Sequence, residues 1–287
     1  MKNSISHLPL DKQQELTAIT ESITELVKPE MVILFGSYSR GDWVQDRYKE
    51  DGITYEYKSD YDILVVTEKP KEAAPGFGKK VRRKIKKAEH LQTTPHIIFH
   101  DIDFLNKELE EGHYFFADIV KEGTMLYNTG KFELAKPKEL SPYHRAQKAK
   151  LYYDSWFRTA SEFLETYYFD FGKKFLPVAA FQLHQSAERY FMTIALVFTD
   201  YKPKTHDLED LNKQTCYLDT RFKVIFPNET AEEKRLFKIL VKAYIDSRYK
   251  LGYTVAAEDL QWLAGRVEIL KGLTKEVCEE KIEGLGR

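Results

Sequence analysis

Residues 31–43 read MVILFGSYSRGDW. The first five are apolar and include adjacent β-branched residues, which predicts a short buried strand. The run then breaks into Gly36 and Ser37, with Arg40 close behind. Taken alone, Gly-Ser after a strand marks a tight turn. The next apolar run changes that reading. In SDYDILVV, residues 59–66, Asp60 and Asp62 flank Tyr61 at the start of a second strand. Period-2 alternation points both carboxylates to one face and Tyr61 to the other. Two adjacent carboxylates repel unless a cation sits between them. Hard oxygen donors of this kind suit magnesium, which takes one or two protein carboxylates and fills its shell with water and phosphate. Gly36 and Ser37 offer backbone N–H groups and a hydroxyl to phosphate oxygens, and Arg40 adds a charge-assisted contact. These are the parts needed to hold a nucleoside triphosphate and its metal for in-line attack at phosphorus.

Around this pair the chain alternates strands and helices. Leu16, Ile19, Ile23 and Leu26 recur at helical spacing, which predicts a helix over 11–28 that Pro29 ends. HIIFH (96–100) predicts a strand, DIDFLNKELEEG (101–112) a helix capped by Asp101 or Asp103, and EGTMLYN (122–128) a last strand. Lys79 to Lys87 hold seven basic residues in nine positions, with Val81, Ile85 and Ala88 forming an apolar seam on a surface helix. That basic face could steer anions to the site or simply be solvated. The pattern is that of a compact α+β domain.

LAKPKELSP (134–142) carries two prolines and no periodicity, which places a linker at 136–143 between a domain at 1–135 and a second at 144–287. Beyond it helices are expected at 143–169, 177–199, 206–214, 231–251 and 256–272. The 177–199 segment is apolar nearly all round, as a central bundle helix should be. Gln185 and Arg189, His184 and Glu188, and Tyr244 and Arg248 are i, i+4 neighbours. Asp246 continues the apolar stripe of Leu236, Ile239 and Ala243, so it would want a partner from Arg189, Arg248 or His206. These polar groups either fix bundle register or line a pocket for nucleotide or substrate. His206 could equally be a helix-start residue beside Thr205.

Composition narrows the class. With 287 residues, 43% hydrophobic and 31% charged, the chain reads as globular with about two domains. Its net charge of −1 excludes a global field drawing it onto nucleic acid. The polar N-terminus and the lack of a long apolar run predict a cytoplasmic protein with no membrane partner. Cys216 and Cys278 are too few for a disulfide framework or a zinc knot. Eighteen Tyr and 18 Phe, most of them after residue 110, suit a packed helical core.

GSYSRGDW…SDYDILVV resembles the polymerase-beta type of nucleotidyltransferase, especially its small bacterial branch. The resemblance implies that Gly36, Ser37 and Arg40 hold the triphosphate and that Asp60 and Asp62 bind magnesium. Two departures are visible. Ser37 and Asp60 are separated by 22 residues, about a dozen more than in compact members, and VQDRYKEDGITYEYK would form an extra loop or hairpin. The family's third acidic residue would fall on HIIFH, where the sequence has His96. His96 is therefore the third catalytic candidate, able to bind a metal or accept a proton, with Asp101 and Asp103 equally explained as caps. AAFQLHQSAERYF, YKPKTHDLEDL and AYIDSRYKLGY resemble the HEPN family, a helical-bundle domain often joined to such transferases. The combined layout is similar to that of aminoglycoside nucleotidyltransferases.

The resemblance implies transfer of a nucleoside monophosphate, AMP from ATP, to a small-molecule or protein acceptor bound between the two domains. Arg189, Arg248 and Tyr249 are further nucleotide-contact candidates, and a homodimer through the helical domain is implied. The alternative is a catalytically weak nucleotide-binding or regulatory protein, related to toxin–antitoxin pairs, whose HEPN domain is not a ribonuclease. In the helical half, no arginine is followed four to six residues later by histidine, the spacing used by HEPN ribonucleases. RNA as a partner is correspondingly weakly supported.

Overall fold

A computed structural model describes residues 1–43, 45–50, 53–69, 81, 83, 85, 91, 93–203 and 205–287, with 45–50 and 53–58 described as backbone. It divides into two units, Met1–Glu139 and Leu140–Arg287.

The first unit opens with α1 (Leu10–Val27), whose Leu16, Ile19, Ile23 and Val27 are buried. Lys28 ends it in the left-handed region, directly before Pro29. Next come β1 (Met31–Phe35) and the short helix α2 (Gly36–Arg40). The Gly-Ser step expected to be a turn is thus the first turn of a helix. Strands β2 (Gln45–Glu50) and β3 (Ile53–Lys58) pair antiparallel, so the extra segment is a hairpin. Then follow β4 (Tyr61–Thr67), β5 (Pro95–Asp101), α3 (Ile102–Glu110), α4 (Tyr114–Glu122) and β6 (Thr124–Asn128). The main sheet runs β5-β4-β1-β6, parallel between β4 and β5 and antiparallel elsewhere.

Asp101 is the cap of α3, accepting from the Phe104 N–H at 2.8 Å. Helix α4 was not legible in the sequence. It is short, its paired Phe115 and Phe116 blur the period, and His113 supplies no side-chain cap. Most of the basic 79–88 segment lies outside the described residues. Within it Val81 and Ile85 are buried and Arg83 is exposed, as a seam at that spacing requires.

The second unit is helical: α5 (Pro142–Gly172), α6 (Leu176–Thr199), α7 (Leu208–Leu218), a 3₁₀ turn at Thr220–Val224, α8 (Ala231–Tyr249) and α9 (Ala257–Leu285). Pro142 and Pro177 sit in first turns, where the missing N–H is harmless. Helix α6 is buried on nearly every side through Leu183, Ala187, Tyr190, Phe191, Ile194 and Val197. Helix α8 starts with a reciprocal capping box between Thr230 and Glu233. Helix α9 runs well past residue 272, because Thr274, Val277 and Cys278 continue its buried stripe. Both cysteines are free. Among the described residues, no helix is long and apolar enough to cross a membrane.

Candidate functional site

Pairing across the sheet assembles the site. On β1, Phe35 lies opposite Asp62 of β4, and Asp62 lies opposite His96 of β5. The residue after Phe35 is Gly36, at φ +71°, so the backbone turns over the Asp62 carboxylate. A Cβ added to Gly36 would stand 2.3 Å from Asp62 Oδ2. No other residue type fits there without displacing that carboxylate.

Alternation on β4 holds. Tyr61 is fully buried and its hydroxyl donates to Glu15 Oε2 at 3.0 Å, while Asp60 and Asp62 on either side of it in the chain are half-buried. Burial pushes the Tyr61 phenol far above its usual range, and the neighbouring Glu15 carboxylate adds to this. Tyr61 packs on Tyr38 at 4.5 Å, and Tyr38 stacks on Trp43. This aromatic floor braces α2 against β4.

Three observations bear on what the site can hold. The Ser37 hydroxyl is buried and has no hydrogen-bond partner. An orphaned donor beside a glycine turn is suited to a phosphate oxygen. Asp62 Oδ1 lies 3.1 Å from His96 Nδ1. Because a carboxylate only accepts, the geometry assigns the proton to Nδ1 and leaves Nε2 as an acceptor. The donor chemistry, two carboxylates with an adjacent imidazole, fits a divalent cation with a triphosphate. Asp60 and Asp62 would hold the cation, and Gly36 and Ser37 the phosphates.

Arg40 is placed elsewhere. It ends α2, its Nε donates to Asp42 Oδ2 at 3.1 Å, and Nη1 is 3.9 Å from Glu122. The expected phosphate contact is thus engaged with acids. His100, on the same face of β5 as His96, is buried and stacks on Phe104 at 4.5 Å, so it is a packing residue.

A cluster that sequence reading missed lies at the end of α3. His113 Nδ1 is 3.4 Å from Glu108 and Nε2 is 3.8 Å from Glu111. Among the described residues it is the one group of three such side chains whose ligand atoms all fall within 4.8 Å. Asp60, Asp62 and His96 therefore do not form so tight a trio. The only signal was the spacing Glu108, Glu111, His113, which any helix end would also give.

In the helical unit a second polar group is buried. His184 Nδ1 donates to the Leu240 carbonyl at 2.9 Å, and its Nε2 is 3.5 Å from Glu188. His206 Nδ1 lies 3.0 Å from the other Glu188 oxygen. Both imidazoles stack on Tyr244, and Arg248 lies 3.9 Å over that ring while donating to the Tyr244 carbonyl. The expected His184–Glu188 and Tyr244–Arg248 pairs are thus formed, and His206 joins them. His206 is not the helix start; Asp207 caps α7 by accepting from the Glu209 N–H. Arg189 sits over Trp156 and Phe163 and reaches Thr159, and Tyr249 is exposed. Asp246 pairs with none of Arg189, Arg248 and His206; α8 turns it toward the Lys242 and Lys250 side.

Burial raises the pKa of Glu188, but the adjacent His184 ring and the hydrogen-bonded His206 more than offset it, and the net direction is down. A carboxylate depressed on folding stabilises above its unfolded value and loses that contribution as pH falls through the folded one. The window therefore lies below the ordinary 4.5. Glu188→Gln is expected to flatten the acid limb of stability. Thermal melts from pH 6 down to about 3 should fall less steeply than in wild type; parallel curves would show that Glu188 gains nothing from its partners.

The polymerase beta nucleotidyltransferase family model matches residues 17–131, and the HEPN domain model matches residues 153–283. A comparison with curated proteins returns no match. The sheet that seats Gly36 on Asp62 and the bundle built around α6 lie within these two matched stretches. The chain is therefore a fusion of a polymerase-beta-type nucleotidyltransferase domain with a C-terminal HEPN domain.

Proposed function

We propose that the first unit transfers AMP from ATP, with magnesium, to an acceptor hydroxyl. The observation that carries this reading is the seating of Gly36 on Asp62, with an orphaned Ser37 hydroxyl beside it. In this reading the α2 N-terminus and Ser37 receive the triphosphate, and Asp60 and Asp62 hold the cation. A bound divalent cation would neutralise charge on the phosphate oxygens and on the departing pyrophosphate. The acceptor oxygen forms a bond to the α-phosphorus while the bond to the β-phosphate oxygen breaks and pyrophosphate leaves. His96 Nε2, the free acceptor of its ring, takes the acceptor's proton. Its Nδ1–H meanwhile keeps the Asp62 carboxylate oriented.

Pyrophosphate release by the full chain, with ATP, magnesium and a panel of hydroxyl acceptors, tests the proposal. Ser37→Ala is expected to raise the KM for ATP about tenfold with a smaller change in kcat. An unchanged KM would remove Ser37 from the phosphate site. His96→Ala is expected to lower kcat by about 10–100-fold. His96→Asp, which restores a carboxylate at that register, should retain more activity than His96→Ala. The reverse order would exclude a role for His96 at the metal or the proton.

A further inference from the structure

We propose that the cleft between α8 and the start of α9 is a binding site for a small, multiply charged phosphate anion of the pyrophosphate or tripolyphosphate kind. The cleft, about 380 Å³, is lined by Arg235, Lys238, Lys242, Asp246, Lys250 and Tyr253, with Thr254 to Ala256 and Asp259 at its end. Its size is within the range of small-ligand sites.

Only one pair of these charges is spent on each other. Arg235 is committed, bonded to both oxygens of Asp259 at 2.6 and 2.9 Å and to Glu232. This fork ties α8 to the first turn of α9 and makes a fixed wall. Lys238 and Lys242, four residues apart on α8, repel each other across one turn. Lys250 stands at the C-cap of the same helix. None of the three lysines has an ion-pair partner among the described residues. The unspent acid in the cleft is Asp246, so the lining keeps an excess of positive charge.

A lysine stripe is ordinarily a solvated face. Tyr253 separates this one from that reading. Its hydroxyl is buried without a hydrogen-bond partner. Burial, with the Asp246 carboxylate second, raises the phenol pKa, so the group stays a donor. A buried donor in a cleft lined by three unpaired lysines suits an acceptor that carries negative charge. Lysine ammoniums are compact point charges that suit the tetrahedral oxygens of phosphate rather than a planar carboxylate fork. The inference does not depend on the transferase reading, since every residue in it lies in the second unit.

The test uses the full chain carrying Asp60→Asn and Asp62→Asn, in EDTA, so that metal-bound phosphate at the first unit does not contribute. Tripolyphosphate is titrated calorimetrically, and lysine acylation with and without it is read by mass spectrometry. Saturable binding is expected. Lys238→Gln with Lys242→Gln should weaken it about tenfold or more, and Tyr253→Phe less. Acylation of Lys238, Lys242 and Lys250 should slow several-fold on binding while Lys150 and Lys275 react as before. Equal affinity with and without the two lysines, or uniform protection of all five, overturns the proposal. Because Lys238 and Lys242 are exposed, the double variant should melt like its parent, which circular dichroism checks.

Discussion

Replacing both Asp60 and Asp62 by Asn should abolish nucleotidyl transfer, a loss of about 10³-fold or more in kcat, with the fold intact. Asn keeps the shape of each side chain and can still accept from His96 Nδ1, so the sheet register of β4 against β1 and β5 is not threatened. What disappears is the paired negative charge that would hold a divalent cation at this site. Far-ultraviolet circular dichroism and the melting temperature should match wild type, while pyrophosphate release falls to background. Equal turnover by the two proteins would mean that the chemistry is not housed at these carboxylates, and the proposed function would fall with it.

Gly36→Ala should disable the candidate site with a single methyl. Two costs coincide there. At φ +71° an L-residue pays about 1–2 kcal/mol of backbone strain. The added carbon would also stand 2.3 Å from Asp62 Oδ2, so the carboxylate must swing out of the site. A destabilisation of about 1–3 kcal/mol is expected from denaturant melts, together with loss of ATP binding. Gly252→Ala is the control. It has nearly the same φ, +70°, but nothing within 4 Å of the new carbon. It should show the strain without the loss of binding. If Gly36→Ala bound ATP like wild type, the close approach would be irrelevant to the site.

Much of the fold was legible because its signals are local. The strands Met31–Phe35 and Tyr61–Thr67, the helix stop at Pro29 and the all-round apolar α6 each follow from residues within one element. Helix α4 was not legible, because nine residues with adjacent aromatics carry no clean period. The end of α9 was also misplaced. The expected end at 272 falls short because Thr274, Val277 and Cys278 continue the buried stripe to the helix end at Leu285.

At the site, the glycine, the serine and the aspartate pair could be marked from sequence, since strand alternation alone sends Asp60 and Asp62 to one face. What they touch could not. That His96 stands beside Asp62 depends on the register of two strands separated by 27 residues in the chain, between Thr67 and Pro95. That Arg40 meets Asp42 and Glu122 depends on Gly36–Arg40 being helical, so that each residue rotates the side chain by about 100°. The same holds for the second unit. His206 finds Glu188 from 18 residues away, and Asp246 faces lysines rather than arginines, because the rotation of α8 in the bundle decides which side its charges take. Sequence by itself determined the two folds and marked the residues proposed for phosphate and metal, through short-range periodicity and backbone freedom. Tertiary structure alone decided their partners, because register and helix rotation are set by the packing of the whole core.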